Sequence, residues 1–307
     1  EDGSSTEFAE EHQPIKKDSA DSKSISYDIA EAPTFEEIAP YLVDNYDEYS
    51  SSEQLFSELL SLDYVSDERT RINPTNVSPY NRIGLIVGWW DLNNNGYWDD
   101  ADWFGRGTGS MQGPDVVLTA AHLIERDLTW SHCVWYYPAK NGTGSDSIGE
   151  PYGQATSIAC YIHPNWMQVG NHPDYDYGVV ILNRNIGALT GYNGKAYTAG
   201  SLINKNVTLT GYPADKGQNN SSLKETMWTM SGTIKSQTTY RMWYNIYTAG
   251  GSSGSPVYDS NNIVWGVHSQ GHDSNSPYNI GSRLTAYSYN LLQDKLEEGL
   301  ERYYGNN

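Results

Sequence analysis

The chain has 307 residues, with 38 acidic against 19 basic side chains, a formal net charge of −19 and a pI near 4.6. A surface this acidic repels phosphate, so nucleic acid is excluded as a partner, and no run approaches the roughly 18 apolar residues that span a bilayer, so no membrane association is expected. Tyrosine and tryptophan are abundant, 25 and 10 against only 4 Phe, a balance that favours a β-rich extracellular protein over a helical bundle.

The chain opens on Glu1 and Asp2, not on a basic stretch and an apolar core, so this sequence carries no secretory signal; a signal removed beforehand is compatible with that. Residues 1–61 hold 16 Asp and Glu against 3 Lys, a net of −13 that leaves only −6 for the remaining 246. Up to Ala30 the composition is that of a disordered stretch. From Thr34 to Leu60 apolar residues recur at helical spacing, with Phe35, Ile38, Tyr41 and Leu42 followed by Leu55, Leu59 and Leu60. Two readings stand side by side: a tail with a helical hairpin, or a prosegment that covers a site.

Beyond Ile72 the pattern changes to short apolar runs separated by Gly, Pro, Asn and Asp. Strands are predicted at Ile83 to Trp90, Val116 to Ala120, Val134 to Tyr137, Ile158 to Ile162 and Gly178 to Leu182. Further strands are predicted at Val207 to Gly211, Thr226 to Ile234, Met242 to Tyr247 and Ile263 to Val267. So many short strands indicate an all-β sandwich or barrels. A helix closes the chain on a face of Leu291, Leu292, Lys295, Leu296 and Leu300, with Gly299 and Gly305 as stops.

Between the first two predicted strands, Asp91 to Asp102 matches a calcium loop. Asp91, Asn93 and Asn95 stand at positions 1, 3 and 5, Gly96 at 6, the Tyr97 carbonyl at 7 and Asp102 at 12. A structural Ca²⁺ is one reading and an Asn/Gly hairpin turn the other. Cys133 and Cys160 are the only cysteines, and their even number predicts one disulfide.

Three stretches carry chemistry: Thr119-Ala120-Ala121-His122, Asp176-Tyr177-Gly178-Val179-Val180, and Gly250-Gly251-Ser252-Ser253-Gly254-Ser255-Pro256. A serine hydroxyl becomes a nucleophile when an imidazole takes its proton, and that imidazole needs a carboxylate on its other nitrogen. His122, Asp176 and Ser253 supply these parts, with Asp174 competing for the carboxylate role. The Gly251 and Ser253 N–H groups are placed to meet a developing oxyanion. Gly250-x-Ser252-x-Gly254 also matches a nucleophile elbow, but that fold needs an acid and then a His downstream, and only His268 and His272 follow.

These motifs, together with Asp67 to Ile72, Gly107 to Met111 and Gly211-Tyr212-Pro213, resemble the chymotrypsin superfamily of serine proteases and in particular its bacterial glutamyl endopeptidases. The resemblance covers roughly residues 62–307. It implies a chymotrypsin-like double β-barrel with a C-terminal helix, the barrels at roughly 72–190 and 191–288, preceded by a prosegment over residues 1–61. It also implies a pocket for a Glu side chain built from Thr248, His268 and Ser269, completed by the α-amine that processing frees near Leu62. The expected protein is a secreted, monomeric zymogen that cleaves proteins or peptides after Glu, or Asp, with no cofactor for catalysis. From a different class, the same fold would serve as a catalytically silent, calcium-dependent binding protein.

Overall fold

The computed structural model describes residues 65–168, 171–272 and 277–305. The expected helical stretch from Thr34 to Leu60 and the boundary at Leu62 lie outside the described residues.

Two closed β-barrels are each built of six strands. The first uses β1 (Ile83–Trp90), β2 (Trp103–Met111), β3 (Val116–Thr119), β4 (Cys133–Pro138), β5 (Ala155–Ile162) and β6 (Gly178–Leu182). The second uses β7 (Asn206–Gly211), β8 (Trp228–Gln237), β9 (Arg241–Tyr244), β10 (Pro256–Tyr258), β11 (Ile263–Gln270) and β12 (Asn279–Arg283). Around the first barrel the order is β1-β2-β3-β6-β5-β4; around the second it is β7-β8-β9-β12-β11-β10. The two rings therefore repeat one connectivity. Helix α1 (Ala286–Tyr304) follows, capped by Thr285 and Ser288 in a capping box.

Strands β1, β3 and β6 of the first barrel are apolar on both faces, which is why they read as continuous hydrophobic runs. Alternation still sorts them. Ile86, Val117, Val134, Tyr136, Val180 and Leu182 gather on one face. Leu85, Val87, Trp135, Val179 and Ile181 gather on the other, in a cluster that also takes in Tyr212 and Val267 of the second barrel and Leu292 of α1.

Nine strands coincide with predicted runs, with ends displaced by a few residues. Three escaped the apolar pattern: β2, β10 and β12. In β2 the glycines look like a loop, yet a Cβ on Gly107 would meet Leu123 at 2.3 Å and one on Gly109 would meet Ile86 at 2.6 Å. They are strand glycines because neighbours press onto them.

Two expectations are corrected. Gly299 does not stop the closing helix, which runs on to Tyr304. A Cβ there would lie 2.6 Å from Asp115 Oδ1, and buried Asp115 is in turn paired with Arg302 of the same helix, so the glycine allows close approach. Nor is the Cys133–Cys160 bridge formed, since both thiols are free. The residues sit on adjacent strands, but β5 carries a register shift between Ser157 and Ala159. Cys160 packs against the cluster that holds Val180 and Cys133 against the one that holds Trp135, with the Ser157 hydroxyl beside both thiols. Burial pushes both thiols up to about 12, leaving them unreactive.

Candidate active site

His122 stands in a 3₁₀ turn, Ala121–Leu123, directly after β3, and its side chain is one quarter exposed. Asp176 follows another 3₁₀ turn, Pro173–Tyr175, at the entry to β6, and is buried. Because β3 and β6 are paired neighbours, with Thr119 opposite Gly178, the ends of the two strands bring imidazole and carboxylate together. His122 Nδ1 lies 2.8 Å from Asp176 Oδ2, and the His122 backbone N–H donates to Asp176 Oδ1 at 3.1 Å. Asp174, the competing carboxylate, instead pairs with Arg241 at 2.6 Å.

Burial alone would raise the Asp176 carboxyl. The facing His122 and the Ser269 hydroxyl, which donates to Oδ2 at 2.5 Å, outweigh it and hold the group below the usual carboxylate range. Ser269 was expected to face a substrate. Its place on β11 turns it to Asp176, so it supports the carboxylate instead.

Ser253 lies in the turn between the second barrel's β9 and β10. Gly251 and Gly254 have φ of +86° and +78°, and a Cβ on either would strike backbone oxygen, Tyr212 O at 2.4 Å or Thr108 O at 2.1 Å. Within the turn, the Ser252 N–H donates to Ala249 O and the Gly254 N–H to His268 O. The Gly251 and Ser253 N–H groups donate to no acceptor among the described residues and stay available to an anion.

Thr108 of β2 fastens this turn to the first barrel, a role the sequence did not disclose although the residue stands in a motif noted above. Its N–H donates to Ser253 O at 2.8 Å and its hydroxyl to Gly251 O at 3.0 Å, while Thr119 Oγ1 donates to Thr108 O at 2.7 Å. Asp67 to Ile72 acquires a place as well. Thr70 and Arg71 add a short strand beside β8, and buried Arg69 is held by Asp67 at 2.8 Å and Asp215 at 3.1 Å, its guanidinium over Tyr247. A narrow cleft there is lined by Arg69, Trp228, Tyr247 and Ser252, next to the nucleophile turn.

Thr248 is half-buried. His268 is buried on β11, with Nδ1 2.7 Å from the Tyr244 hydroxyl. Burial, with His122 nearby, pushes its pKa down to about 3, so the ring is neutral.

The Asp91 to Asp102 loop is closed by its own hydrogen bonds. Asp91 accepts from the Asn95 and Gly96 N–H groups at 3.1 and 2.8 Å, and the Asn93 and Asn95 carboxamides donate to Asp99 at 3.0 and 2.7 Å. Asp102 faces the Trp89 indole at 2.8 Å. Among the described residues no group of three or more His, Cys, Asp or Glu is gathered for a metal ion.

Two barrels of one connectivity, with a His–Asp pair on the first and a glycine-flanked serine on the second, define a chymotrypsin-like protein. The Trypsin family model matches residues 100–290, and the chain belongs to that family. It is 35% identical over 237 residues to a glutamyl endopeptidase of Bacillus licheniformis and 31% identical over 235 residues to an extracellular metalloprotease of Bacillus subtilis. Each match covers 74% of this chain, which spans 66% and 67% of the two proteins' lengths. A solved Glu endopeptidase in complex with MPD superposes with a TM-score of 0.65 at 27% identity, over 77% of this chain and all of that one.

Proposed function

We propose that this chain is a secreted serine endopeptidase that cleaves after Glu, or Asp, and that residues 1–61 are its prosegment. The observations that carry the chemistry are the His122–Asp176 contact at 2.8 Å and the open Gly251 and Ser253 N–H groups of the nucleophile turn. Neutral His122 has its proton on Nδ1, facing Asp176, which leaves the Nε2 lone pair as the base. Ser253 gives its proton to Nε2 as its oxygen attacks the scissile carbonyl. The oxyanion forms at the Gly251 and Ser253 N–H groups. Imidazolium, stabilised by Asp176, then protonates the departing amine. A water repeats the sequence to release the acyl group and restores Ser253.

Specificity for Glu rests on the relatives and on the donors near the turn. A buried, neutral His268 brings no fixed positive charge, so a Glu carboxylate needs the Thr248 hydroxyl, the imidazole N–H and the freed α-amine together. No step needs a metal. A Ca²⁺ ion held by Asp91, Asn93, Asn95, the Tyr97 carbonyl and Asp102 would act on stability alone, and Asn93 and Asn95 would first have to turn from Asp99.

The test is a fluorophosphonate label read by mass spectrometry, with a peptide panel beside it. An adduct on Ser253 and cleavage after Glu are expected. His268→Val or Thr248→Val should lower kcat/KM for Glu substrates about tenfold more than for Gln analogues, by the loss of donors that serve the carboxylate. No adduct on Ser253 after processing would leave a catalytically silent binding protein, and cleavage after Arg or Phe would overturn the pocket assignment.

A further inference from the structure

Tyr244 and His268 meet inside the second barrel with no other strand pairing to join them. Tyr244 is on β9 and His268 on β11, and both strands pair with β12, between them. A side chain on β12 at the crossing would separate phenol from imidazole. The residue opposite His268 is Gly281, and a Cβ there would lie 3.1 Å from the Tyr244 ring and hydroxyl. The glycine opens the path, and the phenol oxygen reaches Nδ1 at 2.7 Å.

The direction of that hydrogen bond follows from chemistry. Tyr244 is fully buried and keeps its proton, because burial raises its pKa well above the ordinary phenol value. The O–H has no other acceptor among the described residues, so it donates to Nδ1. A neutral imidazole that accepts at Nδ1 carries its proton on Nε2. The Ile280 backbone also lies at the ring, with His122 and Asp176 nearby.

We propose that Tyr244 is a positioning residue for substrate recognition: its hydroxyl fixes His268 as the Nε2–H tautomer, so that the ring offers a carboxylate an N–H donor and never a repelling lone pair. This rests on the Glu-cleaving reading above. The free lone pair of the opposite tautomer would repel a Glu carboxylate and accept from a Gln amide, so Tyr244 acts on the difference between the two side chains. Tyr244→Phe keeps the ring and removes the donor. Gly281→Ala keeps the donor, but its methyl meets the Val267 carbonyl at 2.7 Å and the Tyr244 ring at 3.1 Å and displaces both.

Nitrogen NMR of Ser253→Ala protein labelled at histidine, with the His268 signals assigned by comparison with a His268→Gln sample, reads the tautomer directly. A protonated Nε2 and an accepting Nδ1 are expected; a protonated Nδ1 would overturn the proposal. In active protein, Tyr244→Phe and Gly281→Ala should each lower the Glu-over-Gln preference in kcat/KM about tenfold, the scale of one lost hydrogen bond to a charged partner. An unchanged preference in folded Tyr244→Phe protein would also overturn it. Should wild type show no preference for Glu, the specificity reading fails, and the tautomer measurement still tests the Tyr244–His268 pair on its own.

Discussion

The two barrels share one strand connectivity and divide the chemistry. In the first, β1 is buried along its whole length, and the pair it supports, His122 and Asp176, sits at the ends of adjacent strands β3 and β6. In the second, β8 is mostly half-exposed, and the working groups lie in a turn held in left-handed conformations at Gly251 and Gly254. One barrel thus positions an acid–base pair through strand register. The other positions a nucleophile and two N–H donors through backbone conformation. Thr108 joins the two by hydrogen bonds across the cleft.

The comparison breaks most sharply at the nucleophile. Ser253→Ala should lower kcat about 10⁶-fold with the fold intact, whereas Ser252→Ala, whose hydroxyl lies only near the Ala249 N–H, should cost at most about tenfold. Equal losses at both serines would undo the assignment. Next comes the first barrel's own contribution. Asp176→Asn retains the shape but stops holding the His122 proton on Nδ1, and kcat should fall about 10⁴-fold near neutral pH. A loss no larger than that of Asp174→Asn would show that register had delivered the wrong carboxylate.

Gly251→Ala tests the turn's backbone. With φ at +86° and Tyr212 O 2.4 Å from the added methyl, the peptide must shift and one oxyanion donor with it. Kcat should drop about 10²- to 10³-fold, with KM little changed. Burst kinetics with an ester substrate would locate that loss in acylation.

The smallest effect belongs to the first barrel's frame. Glu125, fully buried three residues past His122, has its pKa raised by burial even though the Trp166 indole donates to it at 2.5 Å. A carboxyl whose folded pKa stands above its unfolded value contributes stability at pH below the unfolded value and loses that contribution as pH rises through the folded value. Glu125→Gln should therefore raise Tm by about 2–4 °C at pH 8 and leave it unchanged near pH 4. A gain at pH 4 as large as that at pH 8 would remove ionisation as its cause.

Much of this was legible in the residues, and the exceptions are physical. Strands β1 and β6 stood out because both faces are apolar, whereas β2 hid behind glycines that only close packing explains. His122, Asp176 and Ser253 were named from local motifs. Tyr244 carried no such signal: a tyrosine among 25 becomes distinctive only when Gly281 lets it reach His268. The cysteines show the converse, since an even number predicted a bridge and both thiols are free, with the Ser157 hydroxyl beside each of them.

Strand-forming runs, the turn glycines and the order His, Asp, Ser are properties of neighbouring residues, and the sequence by itself determined them. Which carboxylate faces His122, which group Ser269 serves and what lies against His268 are contacts between residues 54, 93 and 24 positions apart. Only the tertiary structure decided those, because strand pairing and register set such distances, and a shift of one residue turns each side chain to the opposite face.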